Sequence, residues 1–167
     1  MAEHTPDRDF IEFVSGRVLW LRRIAFLLCE DWHHADDLAQ TALTKLYAVW
    51  PKARSADNLD AYLRTILVNA YINETRRPLW KRLVTADTGV LLDLPERAPD
   101  SDAALDLRAA LAKLPPRQRA AVVLRYYCDL SVEQTAAELN CSPGTVKSQT
   151  ARGLDALRRI LQAQPSL

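Results

Sequence analysis

The last third of the chain carries two helix starts separated by a break of three residues. Ser131 and Gln134 have the spacing of a capping box, in which each side chain satisfies an unpaired backbone N–H at a helix start. We expect this helix to end at Asn140, because asparagine tolerates the left-handed conformation that follows many helices. Ser142 then predicts a second N-cap, with Pro143 at the first helical position, where its missing N–H costs nothing. Two short helices joined by so tight a turn predict a helix-turn-helix.

The second of these helices has a polar face suited to duplex DNA. A helix in this position of the motif fits the major groove, where hydroxyl, amide and basic side chains bond to phosphates or base edges. The polar face consists of Thr145, Lys147, Ser148, Gln149 and Arg152. Duplex DNA is therefore the leading predicted partner.

The net charge of +1 is unevenly distributed over the 167 residues. Residues 1–80 contain 10 basic and 11 acidic residues, residues 81–102 contain 3 and 5, and residues 103–167 contain 9 and 5, a net of +4. The positive excess accompanies the helix-turn-helix, where attraction to phosphates requires it. Because the excess is modest, we expect this part of the chain alone to bind DNA weakly.

Helical periodicity in both halves predicts an all-α fold of two small helical domains joined by a flexible acidic linker. The first half has three amphipathic segments, over about residues 8–29, 34–50 and 59–77, the last capped by Asp57 or Asn58. Such segments joined by short loops predict a compact bundle.

A segment without periodicity separates the halves. Residues 83–102 contain two prolines, a glycine and several acids, which predicts a linker. Two helices over about residues 103–113 and 117–128 are expected before the helix-turn-helix, the second with Ala121, Val122, Leu124 and Tyr127 directed inward. The predicted divisions are a first domain (1–80), a linker (81–102) and a second domain (103–167).

Composition favours a soluble globular protein, with 49% apolar and 26% charged residues, and the scattered cysteines favour the cytoplasm. The sequence contains no apolar run of membrane-spanning length and no signal peptide at its start. Cys29, Cys128 and Cys141 are scattered, so we interpret them as reduced structural thiols, with a redox switch as the minor alternative.

The usual signatures of enzymes and of metal sites are missing from the sequence. There is no glycine-rich phosphate loop and no recognisable catalytic triad. His33 and His34 next to Asp36 and Asp37 suggest a metal site, but adjacent residues do not share a helix face. We therefore predict no catalytic residue, no cofactor and no metal.

Two polar clusters in the first half have both a simple and a functional interpretation. Asp36 and Asp37 favour the dipole of a helix start, whereas Gln40 has no such role and indicates a partner-binding face. The loop 52–58, together with Asn69, could receive an unstacked base, with Arg76 and Arg77 near its phosphates. The simpler explanation of this second cluster is a helix cap, a solvated loop and a basic helix end. From spacing alone we favour that explanation.

Four segments, taken in order, resemble the extracytoplasmic-function sigma factors, the smallest members of the bacterial sigma family. Residues 35–40 (ADDLAQ) are similar to the family's A-E-D-L-V-Q segment, and residues 61–69 (AYLRTILVN) to its W-L-x-x-I-A-x-N helix. Residues 114–119 (LPPRQR) and 144–148 (GTVKS) are similar to the start and the recognition helix of its fourth region. Each motif alone is common, but four in order around a short acidic linker are specific. The strings RDF-x-EFV, LVNAYI and NETRRP further resemble the actinobacterial SigE-like subfamily.

The resemblance implies a sigma factor, without enzymatic activity, that binds core RNA polymerase and directs promoter-specific initiation. The first domain would dock on the coiled-coil clamp of the β′ subunit and read the minus-10 element as a melted strand. The second domain would read the minus-35 element as a duplex and meet the β flap. An anti-sigma factor is a further implied partner, and no membrane is involved.

The resemblance also assigns residues to these surfaces. For core polymerase they are Asp37, Leu38 and Gln40. For the minus-10 element they are Lys52, Arg54, Ser55, Asp57, Asn58, Asn69, Arg76 and Arg77. For the minus-35 element they are Arg119, Arg125, Ser142, Thr145, Lys147, Ser148, Gln149 and Arg152.

Two departures from the family pattern affect the promoter rather than the function. Gln149-Thr150 stands where the family commonly has Arg followed by an aliphatic residue, and Gln bonds adenine where Arg prefers guanine. Tyr62 replaces the usual Trp, which is a modest packing change.

Two other functional classes fit the same helical pattern. A self-sufficient helix-turn-helix repressor or activator would dimerise and bind a palindrome without polymerase. A helical protein that sequesters polymerase without reading DNA is disfavoured by the positive second domain. If the two domains packed together in the free protein, we would expect the DNA-reading face to be hidden.

Overall fold

The computed structural model describes residues 6–76 and 101–163, which form nine α-helices and one π-helical turn, and these two ranges contain no strand. In the first half the helices are α1 Pro6–Ser15, α2 Val18–Cys29, α3 Trp32–Ala48, α4 Trp50–Ala53 and α5 Leu59–Thr75. In the second half they are α6 Asp102–Ala112, α7 Pro116–Val122, the π-helical turn Val123–Tyr127, α8 Val132–Leu139 and α9 Pro143–Ala163. The all-α prediction is confirmed. None of the helices in these ranges has the length and apolar character needed to cross a membrane.

Helices α2, α3 and α5 form the bundle of the first half. Side-chain caps begin two of them: Asp31 accepts a hydrogen bond from the backbone N–H of His33, and Asn58 accepts one from that of Ala61. Of the two caps considered for α5, Asn58 is therefore the one used. The bundle buries its apolar faces completely at Leu21, Ile24, Leu28, Leu46, Leu63, Leu67 and Val68.

The single helix predicted over residues 8–29 is wrong, because the chain breaks at Gly16 and Arg17. Glycine is a poor helix former, and Arg17 leaves the helical region with φ −120° and ψ −6°. The Arg17 Nε also donates to Asp60 at 2.7 Å, which ties the break to the start of α5. The separate α1 packs Phe10 and Phe13 against Trp50, with ring centroids 5.4 and 5.7 Å apart.

The helix-turn-helix forms as its capping residues predict. Ser131 and Gln134 make the reciprocal bonds of the capping box, and Asn140 adopts the left-handed conformation at φ 53°. Ser142 accepts a hydrogen bond from the backbone N–H of Thr145 at 3.1 Å. Helix α9 packs against α6, α7 and α8 and buries Val146 and Leu157, so three other helices position the predicted recognition helix.

The helix predicted over residues 117–128 changes character halfway along. From Val123 the backbone adopts π-helical geometry, and the N–H of Cys128 donates to the carbonyl of Val123 at 3.1 Å. The wider turn rotates the following side chains, so Tyr127 is 49% exposed, contrary to its predicted inward position. The backbone then turns through Asp129, whose φ is 55°.

The two predicted domains pack against each other. Ala120, Val123, Leu124 and Leu130 from the second half are buried in the same apolar core as α2, α3 and α5. Arg119 of α7 also donates to the carbonyl oxygen of Leu28 at the end of α2. The segment predicted as a linker ends before α6, because Ser101 caps this helix and Asp102 begins it. The rest of that segment lies outside the described residues.

A small residue in α9 permits its close packing on α7. A Cβ added at Gly153 would lie 2.8 Å from Cγ2 of the buried Val122. We therefore expect Gly153→Ala to lower the free energy of unfolding by about 1–3 kcal/mol, because overpacking forces neighbours apart. Chemical denaturation measures this change. Gly144→Ala is the matched control, since its Cβ would meet nothing closer than 3.8 Å, and equal losses in both variants would contradict the packing explanation.

Candidate nucleic-acid interface

The predicted DNA-reading face of α9 is exposed. Thr145, Lys147, Ser148 and Arg152 face solvent, and Gln149 is half-buried. Neither Lys147 nor Arg152 forms an ion pair with another residue that the structure describes. This face therefore presents two cationic and several hydroxyl groups to a ligand, even though the two halves are packed together. The expectation that packing hides it is wrong.

Two hydroxyl groups of this face have partners inside the helix. The Ser142 hydroxyl caps α9 and lies 2.9 Å from that of Thr145. The Ser148 hydroxyl donates to the carbonyl of Thr145 at 3.2 Å. The face is thus pre-ordered, and Lys147 and Arg152 are the long, charged side chains on it that can reach a ligand.

Arg119 and Arg125, also predicted for the minus-35 element, use their guanidinium groups to bind backbone carbonyls. Arg119 donates to Ala112 at 2.5 Å and to Leu114 at 2.9 Å, as well as to Leu28. Arg125 donates to Leu130, the residue that precedes the capping box. These contacts join helix ends, so each arginine has a clear structural role next to its predicted one.

The residues predicted for the minus-10 element lie around α4 and α5. Lys52, Arg54, Ser55, Asp57, Asn58, Asn69 and Arg76 are exposed, and Arg77 lies outside the described residues. Three of them have local partners. Arg54 donates to Asp9 at 2.8 Å, Ser55 donates to the carbonyl of Lys52 at 3.0 Å, and Asn58 is the N-cap of α5. Helix caps and local bonds thus account for part of this loop, and the amide of Asn69 remains exposed on α5.

A cleft of about 580 Å³ separates the start of α5 from α8. Its walls include Asn58, Tyr62 and Thr65 on one side and Gln134 and Ala137 on the other. The predicted melted-strand side and the first helix of the helix-turn-helix therefore face each other across this cleft.

A buried ion pair that sequence reasoning missed spans the two halves beside this cleft. The Arg64 Nε lies 3.0 Å from each carboxylate oxygen of Glu138, and its Nη2 lies 2.6 Å from Oε1. The residues are only 8% and 6% exposed. Burial opposes the charge on Arg64, but the hydrogen bonds and charge of Glu138 outweigh burial and raise the pKa of Arg64 above its ordinary value. The only available sequence signal is an arginine on the apolar side of α5, and it does not identify the partner.

The predicted polymerase-binding residues lie at the start of α3. Asp36 is buried and paired with Arg22 at 2.6 Å, and the Arg22 guanidinium also lies 4.5 Å from the centroid of the Trp32 ring. Leu38 is 4% exposed and packs in the bundle core, so it supports the helix from inside. Asp37 and Gln40 are half-buried and are the members of the set that a partner can reach. Burial raises the pKa of Asp37 above its ordinary value.

The cysteines have the character of structural thiols. Burial raises the pKa of Cys29 to about 12 and that of Cys128 to about 11, and it also raises the pKa of Cys141. Because the thiolate is the reactive form, these shifts disfavour the redox-switch alternative.

His34, next to Asp37 on α3, should make stability depend on pH. Its Nε2 lies 2.7 Å from a carboxylate oxygen of Glu74, and this contact raises the pKa of His34 even though burial lowers it. The pKa is thus higher in the folded state than in the unfolded state. The stabilisation is complete below about pH 6.5 and is lost as the pH rises through the folded pKa.

We therefore expect the melting temperature to fall between about pH 6 and pH 8.5, and to fall less in His34→Gln. Thermal unfolding followed by circular dichroism measures both slopes. His33→Gln, which alters an exposed neighbour, should keep the slope of the natural chain. An unchanged slope in His34→Gln would rule out this ion pair as the cause.

The chain matches two known families in succession. Residues 14–81 match sigma-70 region 2, and residues 104–157 match sigma-70 region 4. The RNA polymerase sigma-E factor of Streptomyces coelicolor is 38% identical over 93% of this chain and 88% of its own length. The sigma factor SigM of Mycobacterium tuberculosis is 33% identical over 84% of this chain and 71% of its own.

Solved structures share the arrangement of helices. The sigma factor RpoE from Bartonella quintana, solved with the anti-sigma factor NepR, has a TM-score of 0.73 and 28% identity, with coverage of 95% of this chain and 99% of that one. CnrH, solved with the cytosolic domain of CnrY, shares the fold at a TM-score of 0.63 and 20% identity, over 95% of this chain and 91% of its own.

Proposed function

The chain belongs to the extracytoplasmic-function group of the sigma-70 family and directs promoter-specific transcription initiation, and we propose that three surfaces divide this work. One surface binds core RNA polymerase, one reads duplex DNA and one reads a melted strand. The observation that carries the proposal is an exposed recognition helix joined, in one chain, to a region 2 bundle with an exposed polar loop. We further propose that residues 1–80 and 103–167 are the functional domains and that residues 81–102 connect them.

The core polymerase surface is the start of α3. Asp37 and Gln40 dock on the β′ clamp, and the buried Asp36–Arg22 pair holds the helix start at a fixed angle to the bundle. Leu38 contributes through the core. The second half docks on the β flap.

The duplex surface is α9, which reads the minus-35 element from the major groove. Lys147 and Arg152 have the reach to contact phosphates or guanine, and Gln149 has the donor and acceptor pair that suits adenine. Thr145, Ser148 and the N-terminus of the helix fix its position on the phosphate backbone of the DNA. Arg119 and Arg125 act mainly by orienting α7 and the turn before α8.

The melted-strand surface is the exposed loop around α4 with Asn69 of α5. It reads the minus-10 element after a base leaves the stack, because a pocket of small polar groups bonds the freed base edge. Lys52, Arg54 and Arg76 offer charge to the phosphates, as does Arg77 outside the described residues.

Three further points complete the proposal. The protein acts in the cytoplasm beside polymerase, without enzymatic activity of its own. An anti-sigma factor regulates it, a proposal that the complex of RpoE with the anti-sigma factor NepR supports.

Reconstitution with core polymerase tests this function. The purified chain should comigrate with bacterial core RNA polymerase and enable it to start transcripts at defined sites on genomic DNA fragments. Tight, palindromic DNA binding by the chain alone, without comigration, would favour the helix-turn-helix repressor instead.

Arg152→Ala should weaken promoter use without weakening polymerase binding. Loss of one base or phosphate contact costs about 1–3 kcal/mol. We therefore expect transcription to fall at least about fivefold when the concentration of this protein is limiting. Run-off transcription and comigration measure the two effects separately. Arg158→Ala, an exposed arginine on another side of the same helix, is the control and should keep activity. Equal loss in both variants would exclude a specific contact by Arg152.

Asp37→Arg should have the opposite effect. A charge reversal in a polymerase contact places like charges together, and we expect affinity for core polymerase to fall about tenfold or more. A binding titration with labelled core enzyme measures the change in affinity. The control is Asp106→Arg, which makes the same charge change on the exposed side of α6 and should keep the affinity. Retained affinity in Asp37→Arg would remove this residue from the interface.

A further inference from the structure

We propose that Asp9 of α1 is a positioning residue for the melted strand: it orients the guanidinium of Arg54, which contacts a phosphate of the minus-10 element. The proposal rests on the proposed function of the loop around α4. It adds to that surface a residue from α1, a helix that contains none of the residues predicted to bind DNA or polymerase. Asp9 acts through Arg54 and does not itself contact the DNA.

The contact between these two residues has an asymmetric exposure. The Arg54 Nη2 donates to Oδ2 of Asp9 at 2.8 Å, across 45 residues of sequence. The side chain of Asp9 is 17% exposed, whereas that of Arg54 is 41% exposed. The carboxylate is therefore the sheltered partner, and the guanidinium is the partner that solvent reaches. A phosphate can approach Arg54 from solvent while one N–H stays on Asp9, because arginine has five N–H donors in a rigid fork.

The backbone of Arg54 is fixed by α4. Arg54 is the C-cap of this four-residue helix, and its N–H donates to the carbonyl of Trp50 at 2.9 Å. Trp50 is 3% exposed and Ala53 is 1% exposed, so the helix is anchored in the core of the first half. The remaining freedom of Arg54 lies in its long side chain, and Asp9 restrains that side chain.

Asp9 is held in place by the aromatic packing of α1. Phe10, the next residue in the chain, packs against Tyr47 and Trp50, with ring centroids 5.1 and 5.4 Å apart. Phe13 also packs against Trp50, at 5.7 Å. The same tryptophan thus anchors the helix that carries the carboxylate and the helix that carries the guanidinium.

The break after α1 makes this contact possible. A continuous helix would carry Asp9 about 13 Å beyond the start of α2, since each residue adds about 1.5 Å. Instead, α1 packs on α4. Arg17, at the break, donates to Asp60 at 2.7 Å, and its guanidinium lies 4.6 Å from the centroid of the Phe13 ring. These contacts fix the direction of α1, which is turned toward the melted-strand loop.

Positioning and plain electrostatics predict opposite effects of removing Asp9. Removal of a negative charge by itself strengthens attraction to a polyanion such as a DNA strand. Loss of an orienting contact weakens binding instead, because Arg54 must then be ordered when the phosphate binds. Stability should hardly change, because an ion pair this exposed contributes little to it. Chemical denaturation of Asp9→Ala checks this last point.

A binding titration with the holoenzyme, core polymerase carrying this chain, tests the positioning role. The probe is a labelled single strand that covers the minus-10 region of a start site found by the reconstitution, and fluorescence anisotropy measures its affinity. Asp9→Ala should lower this affinity about three- to tenfold, the range for ordering one long side chain. The affinity for core polymerase, and for a duplex that contains only the minus-35 element, should stay the same.

A double-mutant cycle separates positioning from packing. Asp9→Ala should have no further effect in a chain that already carries Arg54→Ala, because it acts only through that guanidinium. Two controls on α1 complete the test. Glu12→Ala removes the same charge from an exposed position, and Asp7→Ala removes the carboxylate that accepts a hydrogen bond from Tyr47. Neither control should lower the affinity for the strand.

The outcomes separate this inference from the proposed function. Unchanged or higher affinity in Asp9→Ala, while Arg54→Ala binds more weakly, would overturn the positioning role alone. An equal loss with and without Arg54, or the same loss in Asp7→Ala, would assign the effect to the packing of α1 and overturn it too. If Arg54→Ala binds the strand as well as the natural chain does, the proposed contact of Arg54 fails, and the role of Asp9 fails with it.

Discussion

The apolar seam shared by α2, α3 and α5 is the constraint on which the rest of the structure depends. Helices of 12 to 17 residues are marginal in water by themselves, so each is stable only while its apolar stripe is covered. The seam sets the direction in which the start of α3 points and the side of α5 that faces out. It also accepts Ala120, Val123 and Leu124 from the second half, so the position of the recognition helix is set by the same core.

Features of the fold that depend on neighbouring residues could be predicted from the sequence. The capping box at Ser131, the left-handed Asn140 and the N-cap at Ser142 each act over a few residues, so their signals are local. Features that depend on distant partners could not. The exposure of Tyr127 follows from π-helical geometry, which a helical period of 3.6 residues does not represent. The docking of the halves joins α5 to α8 through Arg64 and Glu138, which lie 74 residues apart in the chain.

The same division applies to the candidate site. Sequence patterns gave the exposed face of α9 correctly, because an amphipathic helix places its polar residues opposite its buried ones. They did not reveal that Arg119 and Arg125 bind backbone carbonyls. A basic residue near a DNA-binding motif gives the same sequence pattern whether its side chain faces DNA or a helix end. Leu38 shows the converse: its place inside a matched segment suggests contact with a partner, whereas its side chain fills the core.

Buried charge connects these observations to function. The Arg22–Asp36 pair lies within one half and the Arg64–Glu138 pair lies between the halves, and the two have different consequences. Separation of the first pair would leave two charges inside a packed bundle, so this pair holds the proposed polymerase-binding start of α3 in place. Loss of either partner of the second would leave one charge buried where α5 meets α8, so this pair helps to fix the position of the second half on the first. One kind of bond therefore orients the start of α3 within the first half and sets how the two halves fit together.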